Sequence, residues 1–224
     1  MKKICVLIAV SFLLFYGKSF SQVINVQTGT SLSTLNWKLE DGTIIFNNRM
    51  IGYSAFLGAD YMDNRNVNLS SNIGWIRKGG RDKILYTNEY GVGAGTVDQD
   101  ATLDYISANT TVDLKYPIQD KIIPFISVGP RIDFLVAHNS YFDVIKDANE
   151  LKSVSFGLLL GVGVKYDLSD FQFGLRADYC MNFTKIADWS SETNRIAGQI
   201  NDKTLLINLT FGYKLVKGTS AAAK

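Results

Sequence analysis

Phe171-Gln172-Phe173-Gly174-Leu175-Arg176-Ala177-Asp178-Tyr179-Cys180-Met181-Asn182-Phe183 places large apolar residues on one parity and polar or small residues on the other. A period of two over thirteen residues is the signature of a β-strand with two unlike faces. Arg176 and Asp178 sit on the parity opposite Phe173, Leu175 and Tyr179. Soluble sandwiches and membrane barrels both alternate, so this stretch alone leaves open which face meets water.

Working outward, the same alternation recurs near 24–32, 51–61, 67–78, 103–116, 122–136, 153–166 and 204–215, which gives eight strands. Most reach the roughly 9–11 residues that a tilted strand needs to cross a bilayer. The connections 62–66, 117–121 and 167–170 are short and polar, whereas 33–50, 79–102, 137–152 and 184–203 are long. Outer-membrane barrels sort their connections in this way, with short periplasmic turns and long external loops. A sandwich has no reason to. The expected fold is therefore all-β: an eight-stranded antiparallel up-and-down transmembrane β-barrel in the cell outer membrane, in contact with lipopolysaccharide and phospholipid and inserted by the barrel-assembly machinery.

The N-terminus agrees. Lys2 and Lys3 precede an apolar run from Ile4 to Tyr16, and Ser19 and Ser21 supply small residues for a cleavage site. Residues 1–21 read as a signal peptide, the run being too short for a membrane-spanning helix. Cys5 opens the apolar run rather than following a cleavage point, so a lipoprotein is not expected. Cleavage would remove Lys2, Lys3 and Lys18, leaving 23 − 3 = 20 basic residues against 21 acidic ones. No basic surface for nucleic acid is expected. Of the two cysteines only Cys180 would remain, which excludes a disulfide framework. Residues 22–216 form the expected barrel domain, and 217–224 read as a tail resembling a cloning scar.

The inward parity collects Asp60, Lys78, Asp113, Lys115, Arg131, Asp133, Lys165, Arg176, Asp178 and Lys214, together with glycines that make room for long side chains. An eight-stranded barrel is only wide enough for its own side chains. Charges there must pair or keep water, so the expected interior is a salt-bridged plug rather than a conduit. Phe56, Ile76, Leu159 and Leu206 share the inward parity and argue the same way. Tyr53, Tyr61, Trp75, Tyr116, Phe134, Tyr166, Phe171, Phe183 and Tyr213 lie near the ends of the outward rows, as interfacial girdles do. Small outward residues, Ala55, Ala59, Ser71 and Ala108 among them, gather on the first four strands and mark a candidate wall for a protein partner. Pro130 falls within the fifth strand, where a closed sheet has no free edge, and a bulge at Gly129 is the expected accommodation.

Five segments carry a family resemblance: Gly29-Thr30-Ser31-Leu32-Ser33-Thr34-Leu35, Gly74-Trp75-Ile76-Arg77-Lys78-Gly79, Leu103-Asp104-Tyr105-Ile106, Ser127-Val128-Gly129-Pro130-Arg131 and Leu209-Thr210-Phe211-Gly212-Tyr213-Lys214-Leu215. In this order they resemble the PorT-like outer-membrane β-barrel family of Bacteroidetes-type bacteria, across essentially the whole mature chain. The resemblance implies an eight-stranded barrel with a Gly-Pro in the fifth strand; most members have no assigned activity, and some are similar to secretion or gliding accessory proteins.

Constellations for catalysis are sparse. His138 is the only histidine, and Ser140 and Asp143 follow it in one expected loop, a spacing poorly suited to a nucleophile and its base. Gly91-Val92-Gly93-Ala94-Gly95 matches a phosphate-cradling loop only in composition and reads as a flexible loop. Asp98, Asp100 and Asp104 lack the spacing of a calcium loop. No cofactor is expected, nor any metal site. The reading is a non-enzymatic barrel serving as a structural or accessory subunit of an outer-membrane assembly, binding through its loops or wall, with an outer-membrane enzyme or a small channel as the alternatives. Trp37, Tyr86, Tyr90, Tyr141 and Trp189 lie in the long connections, where they either contact a partner or cap the barrel.

Overall fold

The computed structural model describes residues 23–39, 42–61, 65–87, 90, 93–119, 121–143, 145, 150–189 and 198–215. The expected leader, 1–21, and tail, 217–224, lie outside them. The strands are β1 (Val23–Lys38), β2 (Ile44–Ile45), β3 (Met50–Asp60), β4 (Val67–Thr87), β5 (Gly93–Lys115), β6 (Ile122–His138), β7 (Val154–Leu168), β8 (Phe171–Asn182), β9 (Ala187–Trp189) and β10 (Gly198–Lys214). All neighbours pair antiparallel in the order β1-β3-β4-β5-β6-β7-β8-β10, and β10 returns to β1. The closing ladder runs from Val23 opposite Lys214 to Lys38 opposite Gln199. Eight strands thus make a ring without an edge, and β2 and β9 are short additions to its upper end.

The outward rows are what a hydrocarbon solvent requires. Leu57, Ile73, Leu209 and Val162 are each more than half exposed. Phe171 stacks on Phe211 at 5.6 Å and lies beside Tyr213 at 5.4 Å, forming part of the girdle at the short-turn end. At the opposite end Tyr53 meets Trp75 edge-on at 5.0 Å. Arg77 lies over both rings and is held by a bidentate pair with Asp104 at 2.7 and 2.8 Å. An outward-facing charge one step above these aromatics marks where the apolar band stops.

Three sequence expectations are corrected. The strands outrun the apolar band: β1 continues to Lys38, β4 to Thr87, β5 starts at Gly93 and β10 at Gly198. Much of 33–50, 79–102 and 184–203 is therefore strand rather than loop. Gly79-Gly80 and the charges at 81–83 hid this continuation, because above the bilayer an outward face no longer has to be apolar. Ladder pairs persist there, with Arg81 opposite Asp100 and Lys83 opposite Asp98. The supposed flexible loop at 91–95 likewise ends inside β5, whose Gly95 takes a φ of +137°; residues 91 and 92 lie outside the described residues.

The third correction concerns Pro130. Asn109 opposes Arg131 and Val112 opposes Val128, so the register passes Pro130 without a bulge and the ladder omits two pairs there. Gly129 explains the tolerance, since a Cβ would strike the Thr110 carbonyl, and only glycine lets β5 and β6 remain this close. The register shift between these strands lies higher, at Asp104 and Tyr105.

Ring closure satisfies the strand backbones mutually, and such barrels open cooperatively. The purified chain in detergent is accordingly expected to migrate differently on gels before and after boiling and to give a β-type circular dichroism spectrum. A helical spectrum would contradict the fold.

Candidate functional site: a sealed interior and a grooved wall

The interior is layered, and strand order fixes the layers. Along β8, rising from the short-turn end, the inward side chains are Gln172, Arg176, Asp178, Cys180 and Asn182; along β4 they are Asn68, Ser70, Asn72, Ile76 and Lys78. Polar residues lie at both ends of these rows, with apolar ones between.

In the lower layer Lys165 donates to Asp60 at 2.7 Å, and Arg176 donates to both carboxylate oxygens of Asp178 at 2.6 and 2.7 Å and to Ser127 at 3.1 Å. Asp113 accepts from Asn68 at 3.2 Å and Thr111 at 3.0 Å. Amides join these groups. Gln27 donates to Asn25 at 3.0 Å and Asn72 at 2.8 Å, and Asn72 in turn donates to Asn109 at 2.9 Å. Both cations also lie near the Phe125 ring, Lys165 at 5.4 Å and Arg176 at 5.8 Å. Lys115 is buried on the same parity.

Above this, Phe56, Ile76, Cys180 and Leu206 pack together, each no more than 4% exposed. Leu159 is buried next to Cys180 in the β7–β8 ladder. The upper polar layer follows. Lys78 donates to Asp133 at 2.6 Å, lies 3.3 Å from Asp202, and sits under the Tyr105 ring at 4.9 Å. Arg131 is 3.3 Å from Asp133 and donates to Asn182, which donates to Asp202. Removing such charges from water costs several kcal/mol per ion, which only close pairing repays.

A third seal closes the long-connection end. Leu35, Trp37, Phe46, Leu103, Phe142 and Ile200 are at the centre of an apolar cluster resembling a small soluble core. Trp37 stacks on Phe142 at 5.4 Å, and Tyr141 meets Phe46 edge-on at 5.1 Å. Phe142 arrives on a 3₁₀ turn, Ser140–Phe142, anchored where Asn139 donates to the carbonyls of Thr102 and Asp100 at 3.1 and 2.6 Å. Phe46 arrives on the connection between β2 and β3, whose carbonyl crosses β4 at Gly80, where a Cβ would collide with it. Of the aromatics placed in the long connections, Trp37 and Tyr141 thus join the cap while Tyr90 stays exposed; the side chains of Tyr86 and Trp189 lie outside the described residues.

Nine of the ten charges singled out in the sequence occupy the buried interior layers. Lys214 does not; it pairs with Asp167 at 2.5 Å at the short-turn rim, because the barrel interior ends there. Asp202 belongs to the same interior layer but lies before the expected strand start at 204, and the extension of β10 to Gly198 brings it in. Extending the parity of Asn208 and Thr204 by one more step would have reached it. His138 Nδ1 is 3.1 Å from the Asn139 carbonyl, to which it can only donate, and lies 3.5 Å from Asp143, and among the described residues no hydrogen bond joins it to Ser140. Asp100 and Asp104 are paired with arginines, and the described residues contain no cluster of three metal-ligating side chains.

On the outer wall, Ala59, Ser71 and Ala108 line one groove of about 720 Å³, which continues onto Pro130 and Ile132 of β6. Ala55 is not part of it. It stands a row higher, opposite Trp75.

The family model for the outer membrane protein beta-barrel domain matches residues 14–188. The chain belongs to this family. Together with the lipid-facing rows, this places it in the outer membrane. No curated protein sequence matches it. Among solved structures it is similar to OprG from Pseudomonas aeruginosa, with 12% identity, a TM-score of 0.50 and coverage of 88% of this chain and 97% of that one. It is also similar to Neisserial surface protein A, with 12% identity, a TM-score of 0.48 and coverage of 86% and 97%. Ail of Yersinia pestis, solved with the heparin analogue sucrose octasulfate, shares 14% identity at a TM-score of 0.42 over 87% and 99% of the two chains. At this identity the likeness to OprG speaks for the fold alone.

Proposed function

We propose that this barrel is a non-conducting, non-enzymatic accessory or structural subunit of an outer-membrane protein assembly. The observation that carries the reading is the layered closure of the interior: an ion-paired layer, an apolar girdle at Phe56, Ile76 and Leu206, a second ion-paired layer and an apolar cap. A lumen filled with its own side chains leaves the external end and the outer wall as the surfaces that can act, and the wall bearing Ala55, Ala59, Ser71 and Ala108 is the candidate face for a partner. Kinship with PorT-like barrels, carried by the five motifs, belongs to the same proposal and supports the accessory role. No described side chains pair a nucleophile with a base at the rim, which favours a binding role over an enzymatic one.

The test is electrical. In planar bilayers the pure protein is expected to give no stable open level, whereas a small channel would conduct reproducibly. Recovery of the same partner in mild-detergent pull-downs from native outer membranes is the expected companion result.

A further inference from the structure

The groove on the outer wall has a direction. Ile24 opposes Ala59, Ala59 opposes Ser71, Ser71 opposes Thr110, and the β5–β6 register, constant from Tyr105 to Lys115, sets Thr110 against Pro130. These residues form a shallow floor across five strands, roughly 19 Å at the usual strand spacing. The next row contributes Leu57, Ile73 and Ile132 as its bank, with Phe156 at the far end. Because the strands are staggered, the floor is not level. Ile24 is the second residue of β1 at the short-turn end, while Phe156 is the third residue of β7 at the opposite end. The groove therefore climbs obliquely from the periplasmic interface into the hydrocarbon.

The floor hydroxyls need no partner: Ser71 is 2.7 Å from Thr110, and Tyr61 is 2.8 Å from Ser71. An occupant thus meets a surface that offers dispersion contact and asks for no hydrogen bond. The length of the floor matches a single acyl chain, which fills half of a hydrocarbon core about 30 Å thick. On the same short-turn side, Arg65, just before β4, is exposed and supplies a cation on the side where the phosphates of that leaflet lie. We propose that the groove is a binding site for one phospholipid of the periplasmic leaflet, its acyl chain lying along Ala59, Ser71, Thr110 and Pro130 and its phosphate near Arg65. The inference rests on the membrane placement and is independent of the accessory role; a protein docking on this wall would meet a lipid-lined surface.

The test uses the full barrel in vesicles of phosphatidylethanolamine and phosphatidylglycerol doped with a phospholipid carrying a diazirine on its acyl chain, with adducts mapped by peptide mass spectrometry. Adducts are expected at Ile73, Ala108 and Ile132 several-fold above Leu175 and Leu209 on the opposite wall. Filling the groove with Ser71→Leu and Ala108→Phe should bring labelling down to the level of that wall while the heat-dependent gel shift is retained, and Arg65→Gln should lower it without refilling the groove. Equal labelling of the two walls, or labelling indifferent to the filled variants, overturns the proposal. Failure of the accessory role would instead appear as channel conductance, which these labelling results do not affect.

Discussion

Asp133→Ala is expected to destabilise the folded barrel by about 3–5 kcal/mol, the usual cost of leaving buried charge without its partner. Asp133 faces Lys78 at 2.6 Å and Arg131 at 3.3 Å, and all three side chains are 1% exposed. Asp202, at 3.3 Å from Lys78, relieves only part of the loss. The double replacement Lys78→Met with Asp133→Leu should recover only part of the stability, because the Lys78–Asp133 desolvation cost disappears while Arg131 loses Asp133 and Asp202 loses Lys78. At the rim the same chemistry behaves differently. Lys214 and Asp167 are each about one-fifth exposed, so Asp167→Ala should cost no more than about 1 kcal/mol. Reversible urea unfolding in detergent, followed by gel mobility, measures all three. A loss near that of the rim pair for Asp133→Ala would mean that the upper layer is wet, and the sealed-interior reading would go with it.

How much of this was legible in the sequence divides at the membrane boundary. Inside the bilayer, the parity of Phe173, Leu175 and Tyr179 against Arg176 and Asp178 is imposed by two incompatible solvents, so strand existence, face and number could be read directly. Above it the constraint disappears. Arg81 and Asp100 form a cross-strand pair that a hydropathy pattern does not distinguish from a charged loop, and Asp202 was lost with the upper part of β10. The cap was illegible for another reason. Leu35, Phe46, Phe142 and Ile200 come from four separate segments, and a contact between distant segments leaves no local period. The groove was half legible: Ala59, Ser71 and Ala108 could be seen as small, but that they lie beside Pro130 and Ile132 depends on register, which no composition argument supplies.

Phe142→Ala tests the cap, and the size of its effect depends on what is measured. Truncating a fully buried phenylalanine in a packed core typically costs about 3–5 kcal/mol, and Phe142 is 0% exposed at the centre of its cluster. Yet the strand ladders of the ring run beneath it, and only a short 3₁₀ turn, Ser140–Phe142, carries the ring into place. Local opening therefore costs less than global unfolding, and the lost contacts should be felt first by the segment that holds Phe142. The expected result is cleavage by external protease near 139–143 at least about 100-fold faster, the factor that corresponds to about 3 kcal/mol at 1.4 kcal/mol per decade. The boiling-dependent gel shift should be unchanged. Conductance should remain absent too, because Phe56, Ile76 and Leu206 still seal the lumen between two ion-paired layers. Current through Phe142→Ala alone would show that the lower layers do not close the barrel and that the cap is a gate over a usable pore. Protease resistance equal to that of the unaltered chain would show instead that the cap draws its stability from the ring rather than from its own packing.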